Sequence, residues 1–230
     1  MNREQFAVEL ERDQQTREAE IRFLQNIASA LSLSEEDRER YRRSLVLMLY
    51  AHFEGAVKFS LQTYLRFVND QGITVAEASS SIAAASLRDV LHALRDPQKK
   101  CDLFQRALPD DSALHRLARE RDFLEEIPGV LSRVVILPDS LVDTESNLRP
   151  IVLRKLLYQV GLDHQMFQAH DPTVHQLLEL RNKIAHGESL GGIREEVYGK
   201  LRFSTLWIMR DLKAKLRLAL DSSSYLRSAA

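Results

Sequence analysis

One helical segment in the first third of the sequence is apolar on almost every side. Within residues 35–69, the stretch LVLMLYAHFEGAVKF (45–59) places large apolar side chains at consecutive positions with few charges among them. A helix that is hydrophobic all round has to be enclosed by other parts of the protein. Serine followed by three acidic residues, SEED at 34–37, predicts where this helix begins, and NDQG at 69–72 predicts its end. The segment therefore predicts the central helix of an all-α bundle.

Other segments predict helices that surround this central one. Long helices are predicted at about 3–32, 150–161, 171–186 and 193–220 from their apolar periodicity and end signals. Stretches that favour turns, such as ASSSIAAAS and IPG, interrupt residues 70–148. The segments between these stretches predict short helices at about 86–95, 98–107 and 112–126. In that region SRVVIL is the only stretch that could form a strand, and it has no evident partner. We expect one α-helical domain over residues 1–230, with a less regular elaboration at about 70–148.

The composition limits the classes of function that the chain can have. The net charge is −1, so any contact with nucleic acid has to come from a local patch. A single cysteine excludes an internal disulfide and suits a reducing compartment. The longest apolar run, LVLMLYAHF, is far shorter than the roughly 20 residues that span a bilayer, and the charged start of the chain is unlike a signal peptide. We therefore expect a cytoplasmic protein that does not bind membranes.

Neither a metal nor a cofactor is expected from the sequence. The histidines that precede the last predicted helices, His164, His170 and His175, have spacings that match no common zinc site. The chain also contains no glycine-rich loop of the kind that binds nucleotide phosphates.

The stretch LELRNKIAHG (178–187) places chemically versatile side chains at the end of the penultimate predicted helix. Its apolar positions share one side of a helical wheel: Val174, Leu177, Leu180 and Ile184. Arg181 projects from within that apolar arc, whereas His186 lies about 140° away, within reach of the Asn182 side chain. An arginine that faces a core needs an acid or a ligand, and Glu54 in the central helix is a candidate acid. On the residues alone, a simple core ion pair and a helix-end histidine explain the pattern as well as an active site does.

Three segments resemble one known family. RNKIAHGE (181–188) resembles the Arg-polar-x3-His signature of the HEPN superfamily (higher eukaryotes and prokaryotes nucleotide-binding), with Asn182 in the polar position. LMLYAHFEGAVKFSLQTYLRFV (47–68) resembles the first core helix of a stand-alone bacterial branch, and ESNLRPIVLRKLLYQVGLD (145–163) resembles the segment before its motif helix. The resemblance implies a HEPN-type helical bundle with long core helices. It also implies a homodimer formed through the motif helices, in which two Arg/His pairs share one cleft.

The resemblance further implies a chemical activity. Active members of the superfamily are metal-independent endoribonucleases, so the chain resembles an RNA-cleaving toxin or phage-defence effector. By this resemblance His186 is a general acid or base for the ribose 2′-hydroxyl or the leaving oxygen, Arg181 holds the scissile phosphate, and Asn182 orients these groups. The residue types suit these roles because histidine titrates near neutral pH and arginine offers a planar fork to phosphate oxygens. The alternative is a non-catalytic protein–protein interaction module of the same fold.

Other charged residues are candidates for supporting roles. Glu54 and Lys58, four residues apart, would either support Arg181 or form a core salt bridge with each other. Four basic residues would either meet an RNA backbone or form a solvated surface: Lys183, Arg210, Lys213 and Arg217. Some HEPN toxins carry a tyrosine two positions after the histidine, which a partner nucleotidyltransferase modifies. Glu188 occupies that position here, so an antitoxin or regulatory protein of another kind is expected.

Overall fold

The chain folds into helices that pack around one central helix. The structure, a computed structural model, describes residues 1–30, 32–96, 98, 100–101, 112–188 and 191–227. Within these residues the α-helices are α1 (Arg3–Ala30), α2 (Glu35–Asp70), α3 (Ser80–Ser86), α4 (Arg88–Arg95), α5 (Ser112–Leu131), α6 (Pro150–Gln159), α7 (Asp171–Ala185) and α8 (Glu195–Asp221). The predicted all-α fold class is confirmed. None of the helices in the described ranges has the length and hydropathy to cross a membrane.

The apolar segment lies at the centre of the bundle, as its pattern predicts. Helix α2 packs against α1 on one side and against α7 and α8 on the others. Leu49, Phe53 and Tyr64 of α2 are among the largest fully buried side chains of the described residues. At the start of the helix, Ser34 Oγ accepts a hydrogen bond from the backbone N–H of Asp37 at 3.2 Å. This is the cap that the SEED sequence predicts.

The region between α2 and α6 differs from its predicted form in two places. The segment ASSSIAAAS predicts a loop but contains α3, and α4 then fills most of the helix predicted at 86–95. Helix α5 was expected to end near residue 126, yet it continues through Pro128, which removes one backbone hydrogen bond without ending the helix. Just beyond α5, Ser132 Oγ donates a hydrogen bond to the Pro128 carbonyl at 2.6 Å. Most of the helix predicted at 98–107 lies outside the described residues, and the described residues 98, 100 and 101 are not helical.

The stretch SRVVIL has a pairing partner that its sequence does not reveal. The backbone N–H of Val75 donates to the carbonyl of Arg133 at 2.9 Å, and the N–H of Val135 donates to the carbonyl of Ile73 at 2.8 Å. Among the described residues these bonds accompany an isolated bridge rather than a sheet. The expectation of an unpartnered stretch is therefore wrong, because the partner is a short segment after α2 that has no strand pattern of its own.

The connection between α7 and α8 is fixed at both of its ends. Gly187 has a φ of 72°, a conformation that favours glycine, and the N–H of Glu188 bonds back to the last turn of α7 at 2.8 Å. Before α8 begins, the N–H of Ile193 donates to the carbonyl of Glu39 on α2 at 2.9 Å. The buried Arg42 donates to the Ile193 carbonyl at 3.2 Å. The residues just before α8 are thereby anchored to α2.

Candidate active site

Arg181 lies near the C-terminal end of α7 and is only half-buried. Its guanidinium carbon lies 4.7 Å from the ring centroid of Tyr50, a residue of α2. Arg181 Nη1 donates hydrogen bonds to the side-chain oxygens of Asn182 at 2.7 Å and of Asn147 at 3.3 Å. An aromatic face and two amide oxygens stabilise a cation without neutralising it. The residues around Arg181 therefore hold its position and leave its charge in place.

The acid that was expected to neutralise Arg181 is bonded elsewhere. Glu54 Oε1 accepts a hydrogen bond from Thr144 Oγ1 at 2.6 Å, and no ion pair joins Glu54 to Arg181 or to Lys58 within the described part of the chain. Lys58 is exposed, so the predicted core salt bridge is also wrong. Arg181 Nε and Nη2 bond to no described residue and keep access to solvent. A guanidinium with an open edge and no carboxylate partner is suited to binding a phosphate.

A tight turn before α6 carries Asn147 to the arginine. Glu145 and Ser146, at its centre, have positive φ values of 54° and 60°. The N–H of Asn147 closes the turn with a hydrogen bond to the Thr144 carbonyl at 3.0 Å. Left-handed conformations at two successive non-glycine residues are costly, and they persist where surrounding contacts fix them.

Two hydrogen bonds that the turn donates to α2 side chains fix this turn. Thr144 donates to Glu54, and the backbone N–H of Leu148 donates to Tyr50 Oη at 2.7 Å. Glu54 is thus connected to Arg181 through the turn rather than by a direct ion pair. Sequence reasoning could not show this arrangement because the turn has no glycine or proline to mark it.

Tyr50 is buried, and its burial favours the protonated phenol. Burial, with a smaller contribution from the nearby Glu54 carboxylate, raises the pKa of Tyr50 to about 12. The phenol therefore stays protonated at neutral pH, and its hydroxyl oxygen remains the acceptor for Leu148. The ring presents a neutral aromatic face to Arg181.

We expect Tyr50→Phe to lower the free energy of unfolding by about 1–3 kcal/mol, because it leaves the buried N–H of Leu148 without an acceptor. The aromatic face below Arg181 remains in this variant. Urea unfolding followed by circular dichroism measures the effect. Tyr158→Phe is the matched control, because Tyr158 is 67% exposed and its hydroxyl bonds to no described residue. Equal unfolding free energies for the wild type and Tyr50→Phe would contradict the assignment.

His186 is the residue at which α7 ends. Its backbone N–H donates to the main-chain carbonyl of Asn182 at 3.0 Å, and its imidazole is exposed without a hydrogen bond to any described residue. The side-chain contact between Asn182 and His186 that the helical wheel allows does not form, because Asn182 Oδ1 accepts from Arg181 instead. Within one subunit, the imidazole is therefore available to a substrate or to a second copy of the chain.

The basic residues predicted as weak RNA contacts are mostly paired within the chain. These residues are Lys183, Arg210, Lys213 and Arg217. Lys183 pairs with Glu179 on its own helix at 2.6 Å, whereas Arg210 and Lys213 pair with carboxylates of α1 at 2.5 and 2.7 Å. Arg217 is exposed. The basic face of α8 looked free because its own sequence does not show the acidic residues of α1 opposite it.

Sequence reasoning missed Tyr50 and Asn147, although both lie in the segments that resemble a known family. Those segments, 47–68 and 145–163, meet the motif helix at Arg181. Their convergence was the available signal, but one sequence does not reveal which of their residues touch. In the described residues, no group of three or more His, Cys, Asp or Glu side chains is arranged to hold a metal ion.

Residues 6–225 match the model of a protein family described as MAE_28990-like HEPN. The match covers nearly the whole chain and includes α2, the turn before α6 and the end of α7. No curated protein and no solved structure matches the chain.

Proposed function

Because the chain belongs to the MAE_28990-like HEPN family, we propose that it is a metal-independent endoribonuclease that acts in the cytoplasm as a toxin or phage-defence effector. The HEPN superfamily includes RNases. The observation that carries the proposal is the state of Arg181, whose guanidinium is held by neutral groups and keeps an open edge. His186, exposed at the end of the same helix, supplies an imidazole, the side chain that most often transfers protons in catalysis.

The proposed reaction is an attack of a ribose 2′-hydroxyl on the adjacent phosphorus. One His186 imidazole removes the hydroxyl proton, the new oxygen–phosphorus bond closes a 2′,3′-cyclic phosphate, and the bond to the 5′-oxygen breaks. A protonated His186 gives a proton to that leaving oxygen. Arg181 binds the phosphate oxygens and stabilises the negative charge that develops on them. Asn182 and Asn147 hold the guanidinium in place for this role.

We propose that the complete site forms between two copies of the chain. In one subunit, no hydrogen bond joins the His186 imidazole to Arg181 or to the Asn182 side chain. Side chains that point in different directions from one helix can meet when two such helices pack together. A homodimer through α7 would place two guanidinium and two imidazole groups in one cleft. Because Glu188 stands where some relatives carry a modifiable tyrosine, we propose control by an antitoxin or regulatory protein of another kind.

Arg181→Lys tests the role of the guanidinium. The lysine keeps a positive charge but loses the planar fork, so we expect RNA cleavage to fall by about 10²-fold or more. The measurement is the cleavage rate of a labelled RNA by purified protein in EDTA, since the proposed site uses no metal. Arg12→Lys, at an exposed position on α1 to which no role in the site is assigned, is the matched control.

Three results would contradict the nuclease proposal. Equal cleavage by the wild type and Arg181→Lys would show that the planar guanidinium is not needed. Loss of wild-type cleavage in EDTA would show that the reaction depends on a metal ion. A dimeric wild type that cleaves no RNA under any condition would favour the non-catalytic interaction module.

A further inference from the structure

A groove of about 350 Å³ runs between α1 and α8, away from Arg181 and His186. Its lining includes two aromatic side chains, three arginines and one carboxylate: Phe203, Trp207, Arg22, Arg202, Arg210 and Glu18. Phe203 is 68% exposed and Trp207 is 39% exposed, although large aromatic side chains are usually buried. These two residues are four positions apart on α8 and so lie one above the other on the same helix face.

The indole of Trp207 is held in a fixed position. His170, just before α7, stacks on it with ring centroids 4.6 Å apart and an interplanar angle of 27°. Phe167 meets it edge to face at 6.2 Å. These contacts cover part of the indole and leave the remainder exposed beside Phe203. Rigid exposed rings of this kind are the platforms on which proteins stack unpaired nucleobases.

The charges of the groove indicate an anionic ligand. Arg22 is exposed and makes no hydrogen bond or ion pair with a described residue, and Arg202 donates to the neutral side chain of Gln25 at 2.9 Å. Arg210 is neutralised by Glu18. Glu18 also attracts Arg22, although no ion pair joins them, so three guanidinium groups share one carboxylate in the described lining and the groove keeps a positive charge. A second copy of the chain fits this groove poorly, because a two-fold interface centred here would set arginines against arginines.

We propose that this groove binds single-stranded nucleic acid, with nucleobases stacked on Phe203 and Trp207 and phosphates contacted by Arg22 and Arg202. An acidic peptide would match the charge but would leave the paired rings without a planar partner. His170, which stacks on Trp207, directly precedes α7 and lies about 16 Å along the helix axis from Arg181. The inference rests on the proposed function only in naming RNA as the natural strand. A strand held here would be bound away from the point of cleavage.

The test uses the fluorescence of Trp207, which is the chain's one tryptophan. The probe is a single-stranded oligomer of 2′-deoxyuridine, which has no 2′-hydroxyl and so cannot be cut by the proposed reaction. We expect it to quench the fluorescence in a saturable way. Phe203→Ala should raise the Kd about tenfold, because it removes one stacking partner. Arg22→Ala should weaken binding and reduce its dependence on salt.

Phe23→Ala is the matched control, because Phe23 is 63% exposed on α1 but does not line the groove. It should leave the Kd unchanged. Absence of quenching by the oligomer, or the same Kd for the wild type and Phe203→Ala, would overturn the proposal. Quenching by poly-glutamate but not by the oligomer would assign the groove to an acidic protein partner. A change in Trp207 fluorescence that depends only on protein concentration would assign the groove to self-association. Either result would also overturn the nucleic-acid proposal.

The outcome is separable from that of the proposed nuclease activity. Quenching by the oligomer in a protein that cleaves no RNA would support the groove and contradict the nuclease. Cleavage by a protein whose Trp207 does not respond would support the nuclease and contradict the groove.

Discussion

His186→Ala is expected to lower the rate of RNA cleavage by about 10²–10⁴-fold, the contribution that a positioned proton donor or acceptor makes to such a reaction. The imidazole is exposed and bonds to no described residue, so its removal should leave the fold unchanged. The backbone hydrogen bonds that end α7 do not involve the side chain and remain in the variant. The measurement is the cleavage rate of labelled RNA in EDTA, with circular dichroism and thermal melting as checks on folding.

A matched control for this variant lies on the same helix. His175 is exposed on α7, three turns before His186, and His175→Ala should cleave RNA at the wild-type rate. The control also reports on contaminating RNases, which would cleave equally in every preparation. If His186→Ala cleaves as fast as His175→Ala, the imidazole has no part in the reaction.

Bacterial growth provides a second reading of the same substitution. If the protein is a toxin, expression of the wild type should slow growth, and expression of His186→Ala at the same level should not. Growth arrest by both proteins would indicate a toxic effect that does not depend on RNA cleavage.

The features that the sequence predicted correctly are local ones. The start of α2 follows from Ser34 and the acidic residues after it, and the end of α7 follows from Gly187. The central position of α2 follows from apolar residues on all of its sides. Each of these features depends on neighbours within one or two helical turns, and the chemistry of those neighbours can be read directly from the sequence.

The contacts of Arg181 could not be predicted in the same way. Its aromatic partner, Tyr50, is 131 positions away, and Asn147 reaches it through a turn whose left-handed residues are a glutamate and a serine. A helical wheel correctly indicated that Arg181 needs a partner inside the bundle. It indicated Glu54 because a carboxylate is the usual partner of a buried arginine. In the structure Glu54 instead accepts a hydrogen bond from Thr144 in the turn before α6.

The basic face of α8 illustrates the same limit for surface residues. Viewed on α8 alone, Arg210 and Lys213 form a cationic stripe with Arg217. Glu18 and Glu11 of α1 neutralise the first two, and they are separated from them by 192 and 202 positions. Arg22 and Arg202 instead line the groove with Phe203 and Trp207, where no motif in the sequence marks them.

A mixture of His186→Ala and Arg181→Lys should cleave RNA faster than either variant alone. If two copies of α7 form one cleft, a mixed dimer contains one wild-type Arg181 from one subunit and one wild-type His186 from the other. These groups supply the phosphate-binding guanidinium and one of the two imidazoles of the proposed reaction, so mixed dimers should recover a measurable part of the wild-type rate. Co-expression of the two variants with different affinity tags allows the mixed dimer to be isolated and assayed.

The control for this experiment is a second mixed dimer. His186→Ala paired with a subunit that carries both substitutions contains an intact Arg181 but no His186, so it should remain inactive. Recovery in the first dimer and not in the second shows that the imidazole and guanidinium act across the subunit boundary. If the first dimer is as inactive as its parents, or if light scattering finds the wild type monomeric, the two side chains do not share a cleft. The exposed His186 would then have to act without the second guanidinium, and the proposed composite site would be wrong.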